Sequence, residues 1–254
     1  NGGGFGIPIS VWADADADVS SGASFATCQL GEWLDNPGNP APTAQDLRNG
    51  VCLSCSCNGL CPGYGLLSGN ANSCGLGTIE GEDILDVDSN FSDAVPKVRD
   101  SKYFPDDLFL YAFNIPDSES TDYLTANATE IKNCGTLNTS SSGLYWYTGG
   151  ADCSIDKVGS VESPVVLVSD KPVKLNANGY FFGIIYVRDE AGSGDLLKAS
   201  GTPHVYGAIL LEGDASLSGT PTIIYNEAVL NNVRNSPDFL RYGPVPGSWS
   251  DTVD

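Results

Sequence analysis

The sequence predicts a mainly β fold: a parallel β-solenoid carrying a disulfide-rich, partly helical insertion. Three observations predict it. The unit Ser200-Gly201-Thr202-Pro203 is followed by the apolar run Val205 to Leu211, and after the turn Glu212-Gly213-Asp214 the same Ser-Gly-Thr-Pro recurs at Ser218, before Ile223-Ile224-Tyr225. Short strands and Gly turns at near-constant spacing are the signature of stacked coils, none of which can bury its inner face alone. A looser copy lies upstream, where Val168 to Asn176 leads into Tyr180 to Val187, and another near the start, where Val11-Trp12-Ala13-Asp14 leads into Asp16 to Gly22. Finally, every cysteine lies within the first 153 residues, outside the repeats nearest the end. A β-sandwich, which also spaces short strands evenly, is the competing fold.

The expected organisation is one domain over 1–254, with coils from 5–27 and 163–230, an insertion at 28–162 and a C-terminal cap at 231–254. Lys and Arg total 12 against 32 Asp and Glu, a formal charge of −20. Such a surface repels phosphate backbones and anionic lipid, so nucleic acid is not an expected partner. The chain has no methionine, which implies a processed or truncated product whose signal or anchor is gone. No stretch approaches the ~18 apolar residues of a membrane span.

In chain order, Gly6 to Trp12 reads as a strand. Asp14, Asp16 and Asp18 then alternate with alanines, which on a strand places the carboxylates on one side. Such a row could ligate Ca²⁺, the one candidate cofactor. A solvated face with alanines inward is the simpler reading. Thr43 to Arg48 reads as a short helix ended by Asn49-Gly50.

The eight cysteines are Cys28, Cys52, Cys55, Cys57, Cys61, Cys74, Cys134 and Cys153. The dense knot Cys52 to Cys61 could suit zinc or an iron–sulfur cluster. No histidine is near and the total is even, so disulfides formed in an oxidising compartment are preferred. Pairings stay open, except that Cys134 with Cys153 is the best local choice, closing a loop around Tyr145-Trp146-Tyr147. Asp86, Asp88 and Asn90 place oxygens at alternate positions, a second candidate Ca²⁺ ligand set. The EF-hand pattern fails, because Phe91 stands where the Gly belongs and Lys97 where the bidentate Glu belongs.

Residues 101–131 read as helical. Pro105, Asp106 and Asp107 suit a helix start, Leu108 to Phe113 supply apolar positions and Ile115-Pro116 stops the run. Ser118 opens a second helical stretch that extends through Ala126 to Ile131. Asn90, Asn127 and Asn138 each begin an Asn-x-Ser/Thr acceptor sequence. Asn226 to Val233 reads as a helix capping an open solenoid end, and Ser236 to Leu240 as a further helical start.

The chain closes with Pro246-Gly247-Ser248-Trp249-Ser250-Asp251. This resembles the Pro-Gly-Ser-Trp-Arg-Asp ending of PilX-type minor pilins of type IV pili, with Ser250 in place of the Arg. Phe104 to Phe109 and the coil units Tyr206 to Leu211 and Gly213 to Tyr225 are similar to that family too. In short pieces, the likeness covers most of residues 80–251. The resemblance implies a surface or extracellular protein, exposed to the periplasm before assembly. Its partners would be other pilins or pilus-tip proteins, and its only membrane contact an N-terminal hydrophobic helix removed from this sequence.

Other chemistry is weakly represented. His204 is the sole histidine and sits before an apolar run, where a turn or coil role is simpler than a Ser–His–Asp triad. The Gly-rich turns are corners, since none forms a G-x-G-x-x-G entering a helix. Trp12, Trp33, Trp146 and Trp249 could stack on sugars, although core packing suits most of them better. Basic residues in the coils are limited to Lys171, Lys174, Arg188 and Lys198. The expectation is a non-enzymatic, pilin-like component of a surface filament, acting in assembly or adhesion. A calcium-dependent adhesin and a solenoid enzyme acting on polysaccharide are the alternatives.

Overall fold

The computed structural model describes residues 11–13, 17–19, 25–29, 79–80, 84–86, 105–189, 195–217 and 221–236. Strands β1 (Val11–Ala13), β2 (Ala17–Val19), β3 (Phe25–Gln29), β4 (Ile79–Glu80) and β5 (Ile84–Asp86) come first. Helices α1 (Leu108–Phe113) and α2 (Ser120–Asn127) follow. Next come β6 (Thr129–Ile131), β7 (Gly143–Tyr147), β8 (Cys153–Val158), β9 (Val165–Ser169) and the long β10 (Val173–Val187). The chain continues through β11 (Asp195–Ala199), β12 (His204–Leu211), β13 (Asp214–Leu217) and β14 (Thr222–Tyr225) into α3 (Glu227–Asn235).

Each of these strands pairs only in parallel, so partners must be joined by long connections. Here most connections are one circuit of a coil, and the molecule is a β-solenoid with three faces. The first face stacks β8, the start of β10, β11, β13 and β2. The second stacks the end of β8, the middle of β10, the start of β12, then β14, β3 and β4. The third stacks β6, β7, β9, the ends of β10 and β12, then β1 and β5.

Contiguous chain supplies the coils β8–β9, β10 and β11–β12. The next coil is composite. β13 and β14 form its first two faces, and β1, from the other end of the chain, forms its third by pairing Val11 with Ile209 and Ala13 with Leu211. β2 and β3 then stack on β13 and β14. Strands from both ends of the sequence therefore stack in one sheet.

The third face is buried on both sides. Val165, Leu167, Ile185, Val187, Ile209, Leu211 and Val11 point into the solenoid core. The alternate residues Val166, Val168, Ile184, Tyr186, Ala208, Leu210 and Trp12 point outward. A layer built from α1, α2 and α3 covers them, through Leu108, Phe109, Leu124, Leu230 and Val233. Two-sided burial explains why these strands read as unbroken apolar runs.

Where the second face bends into the third, Gly183 and Gly207 stack in register at φ 133° and 145°. A Cβ on Gly207 would fall on the Gly183 carbonyl oxygen, and one on Gly183 on the Val165 carbonyl. The corner therefore demands glycine.

Several local expectations change. β6, β7 and β8 fall in the range read as insertion, yet they pair into the same sheet, so the stack begins upstream of residue 163. β8 alternates buried and exposed residues and carries no long apolar run to mark it. Helix α1 starts later than Pro105, because Asp107 is its N-cap and accepts from the Leu110 amide at 2.7 Å. Thr129 to Ile131 are strand rather than helix, since β-branched residues find a partner in β7. Helix α3 is capped by Asn226, whose Oδ1 accepts from the Ala228 and Val229 amides. It lies against the outer side of the third face and so covers a face, not an end. The helix read at 43–48 lies outside the described residues, as does all but Ser236 of the helical start read at 236–240, where Ser236 is the extended C-cap of α3.

Candidate functional site

Strand β8 pairs with β10 and with no other described strand, so it forms the edge where the stack begins. The 3₁₀ turn Cys134–Thr136 closes that edge. Cys134 and Leu137 plug the apolar core, and the Cys134–Cys153 disulfide staples the turn to the first residue of β8. This is the pairing the sequence favours.

Above this edge lies a groove of about 620 Å³. Tyr147 forms part of its wall and donates its hydroxyl proton to the Ala151 carbonyl at 2.9 Å. The lining is polar and apolar in about equal measure, and most of its polar groups are held by a neighbour. Asn133 caps the 3₁₀ turn by accepting from the Gly135 amide at 2.9 Å. Asn176 accepts from the Ser154 hydroxyl at 3.1 Å. Asp152 pairs with Lys198 at 3.2 Å. Lys132 donates to Glu130 and to Thr148, and the Thr148 hydroxyl donates to Glu130 at 2.6 Å; the two hydrogen bonds that Glu130 accepts, with the lysine's charge, hold its carboxyl below its usual range. Asp156 and Lys157 project from β8 into solvent. The lining thus contains two lysines and two aspartates, with carboxamides and hydroxyls between them.

A second polar cluster lies at the far end of the third-face strands, and it is buried. Arg188 follows β10 and pairs with Asp170 at 3.2 Å, the two side chains being 7% and 16% exposed. Both Asp170 oxygens also accept from the Trp146 indole N–H at 3.0 Å. Arg188 reaches Thr121 of α2 at 3.3 Å, which ties the helical layer to the sheet. Beside it, Glu212 accepts from the Tyr186 hydroxyl at 2.6 Å and the Asp189 amide at 3.2 Å. Burial pushes the Glu212 carboxyl above its ordinary value, and burial together with the Glu212 charge pushes the Tyr186 hydroxyl far above its own. With its oxygens occupied, this cluster has the chemistry of an anchor, whereas the groove presents its polar groups to solvent.

The candidate calcium ligands are largely outside the description. Asp14, Asp16, Asp88 and Asn90 lie outside the described residues. Asp18 is on β2 in register with Ser216, on the first face, and Asp86 is on β5 in register with Ala13, on the third. Among the described residues, no group of three or more His, Cys, Asp or Glu side chains could hold a metal. Cys28 is on β3 beside Ile224. Cys52, Cys55, Cys57, Cys61 and Cys74 lie outside the description, as do Trp33, Trp249 and the motif Pro246 to Asp251. His204 stacks on Tyr206 with ring centroids 6.0 Å apart. Trp12 is buried in the outer cluster against Tyr111, a core role.

The groove is not visible as a motif. Its residues come from the 3₁₀ turn and its flanks, Tyr147 of β7, residues 151–152, β8 and β10, at no regular spacing. Arg188 and Glu212 do leave a trace, as the first charged residues after the long apolar runs of β10 and β12. Compared with models of known protein families, with curated proteins and with solved structures, the chain matches none.

Proposed function

We propose that this chain is the head domain of a PilX-type, minor-pilin-like protein. In this reading it is a non-enzymatic component of a type IV pilus or related surface filament, displayed outside the cell and partnered by other pilins or pilus-tip proteins. The observation that carries the reading is the placement of β1. Val11, Trp12 and Ala13 are buried and run in register with Ile209 to Leu211. Chain entering at residue 11 is therefore fixed to the coils at the other end of the sequence. A filament head needs such a joint, because load reaching it through its N-terminal segment must enter the rigid part of the fold. The ending Pro246 to Asp251 and the coil units support the same reading by resemblance. The Cys134–Cys153 disulfide suits an oxidising, extracytoplasmic compartment.

The test is the N-terminal region of the full encoded product. The reading expects a short basic leader and an apolar segment of about 20 residues ahead of residue 1. A cleavable secretory signal with no retained apolar segment would overturn it.

A further inference from the structure

We propose that the groove above β8 binds a neutral, hydroxyl-rich saccharide. Its lining balances Lys132 and Lys157 against Asp152 and Asp156. A site for phosphate or another anion needs an excess of positive charge, and a wholly apolar ligand needs a wholly apolar wall, whereas this lining is polar and apolar in about equal measure. A saccharide needs neither. Each of its hydroxyls both donates and accepts, so closely set donors and acceptors of no net charge are its natural complement.

The groove supplies both kinds of group. Ser154 and the Gly135 amide engage the carboxamide oxygens of Asn176 and Asn133, which turns the two amino groups into presented donors. Lys198 engages one oxygen of Asp152 and leaves the other as an acceptor. Asp156 and Lys157, both exposed on β8, add a carboxylate and an ammonium. The supporting partners lie on strands and a disulfide-stapled turn, so little ordering remains to be done on binding. The volume of about 620 Å³ falls within the range of small-molecule sites. The proposal stands independently of the filament reading, since it concerns only the isolated head.

The experiment is titration of the full chain against neutral gluco-, manno-, galacto- and N-acetylglucosamine oligosaccharides. Sulfated and uronic-acid oligosaccharides and short peptides serve as comparisons. The expected result is saturable binding of at least one neutral oligosaccharide. Asp156→Ala and Asn176→Ala should each weaken it about tenfold, equivalent to one lost charge-assisted hydrogen bond or one lost fixed donor. Lys174→Ala, exposed on β10 outside the groove, should bind as the parent does. Unchanged thermal unfolding of the variants confirms that the loss is local. Failure of every neutral oligosaccharide to bind at millimolar concentration would overturn the proposal. So would a preference for acidic oligosaccharides or peptides, or undiminished binding by both groove variants.

Discussion

Val11, near the start of the chain, lies beside Ile209, near its end, in a parallel pair that completes a coil neither segment could close alone. The fold is therefore locked by a contact between distant parts of the sequence, and its stability should depend on that contact. Trp12, the next residue, is 1% exposed and its ring lies 4.8 Å from Tyr111. Trp12→Ala should cost about 3–5 kcal/mol in denaturant unfolding. Hydrogen exchange should localise the loosening to Ile209 to Leu211 and leave β7 protected.

The glycine corner predicts a sharp asymmetry between two glycines. Gly207→Ala places a methyl on the Gly183 carbonyl at φ 145° and should cost more than about 4 kcal/mol, or abolish folding. Gly150→Ala meets nothing within 4 Å and should change stability by less than about 0.5 kcal/mol. Comparing soluble yield and melting temperature of the two variants checks this.

The disulfide joins residues 19 apart in sequence. Replacing Cys134 and Cys153 with alanine together should lower stability by about 3 kcal/mol. Because Cys134 and Leu137 plug the core end, hydrogen exchange of β8 should rise before that of β12. Urea titration and exchange on the same double variant measure both effects.

The buried pair at the sheet end predicts non-additivity. Arg188→Leu leaves the Asp170 carboxylate buried without its cation and should cost about 3–5 kcal/mol. Changing Asp170 to Leu as well should recover a large part of that loss. Equal destabilisation of the single and double variants would argue against the pair as the cause.

Glu212 gives a pH signature. Its carboxyl is raised in the folded state, chiefly by burial, so the fold binds that proton more tightly than the unfolded chain does. The resulting stabilisation is fully present below the ordinary carboxyl value of 4.5 and is lost as pH rises through the raised folded value. Glu212→Gln keeps an acceptor oxygen for the Asp189 amide and turns its amino group toward the Tyr186 oxygen, which can accept, without the charge. Its melting temperature should exceed the parent's at neutral pH, with the gap closing below pH 4.5.

What was legible in the sequence follows from how each strand is buried. Residues 165–168, 184–187 and 208–211 stand out because the third face is packed on both sides, so no charged residue interrupts them. On the first face, β8 offers just Cys153, Ile155 and Val158 to the core, a pattern too short to mark a strand. Gly183 and Gly207 sit inside apolar runs in the sequence, and their stacking at a corner depends on a register that only the coil reveals. The groove was illegible for a different reason. Asn133, Asp152, Asp156 and Asn176 are ordinary surface residues in sequence, and they converge only because the disulfide-stapled turn sits on the β8 edge.

The filament reading is tested most directly by shearing surface filaments from the source cells and probing the sheared fraction for this chain. The expected result is recovery of the chain with the filaments, lost when the encoded segment upstream of residue 1 is deleted. Recovery of the chain entirely as free secreted protein, with filaments unchanged in its absence, would contradict it.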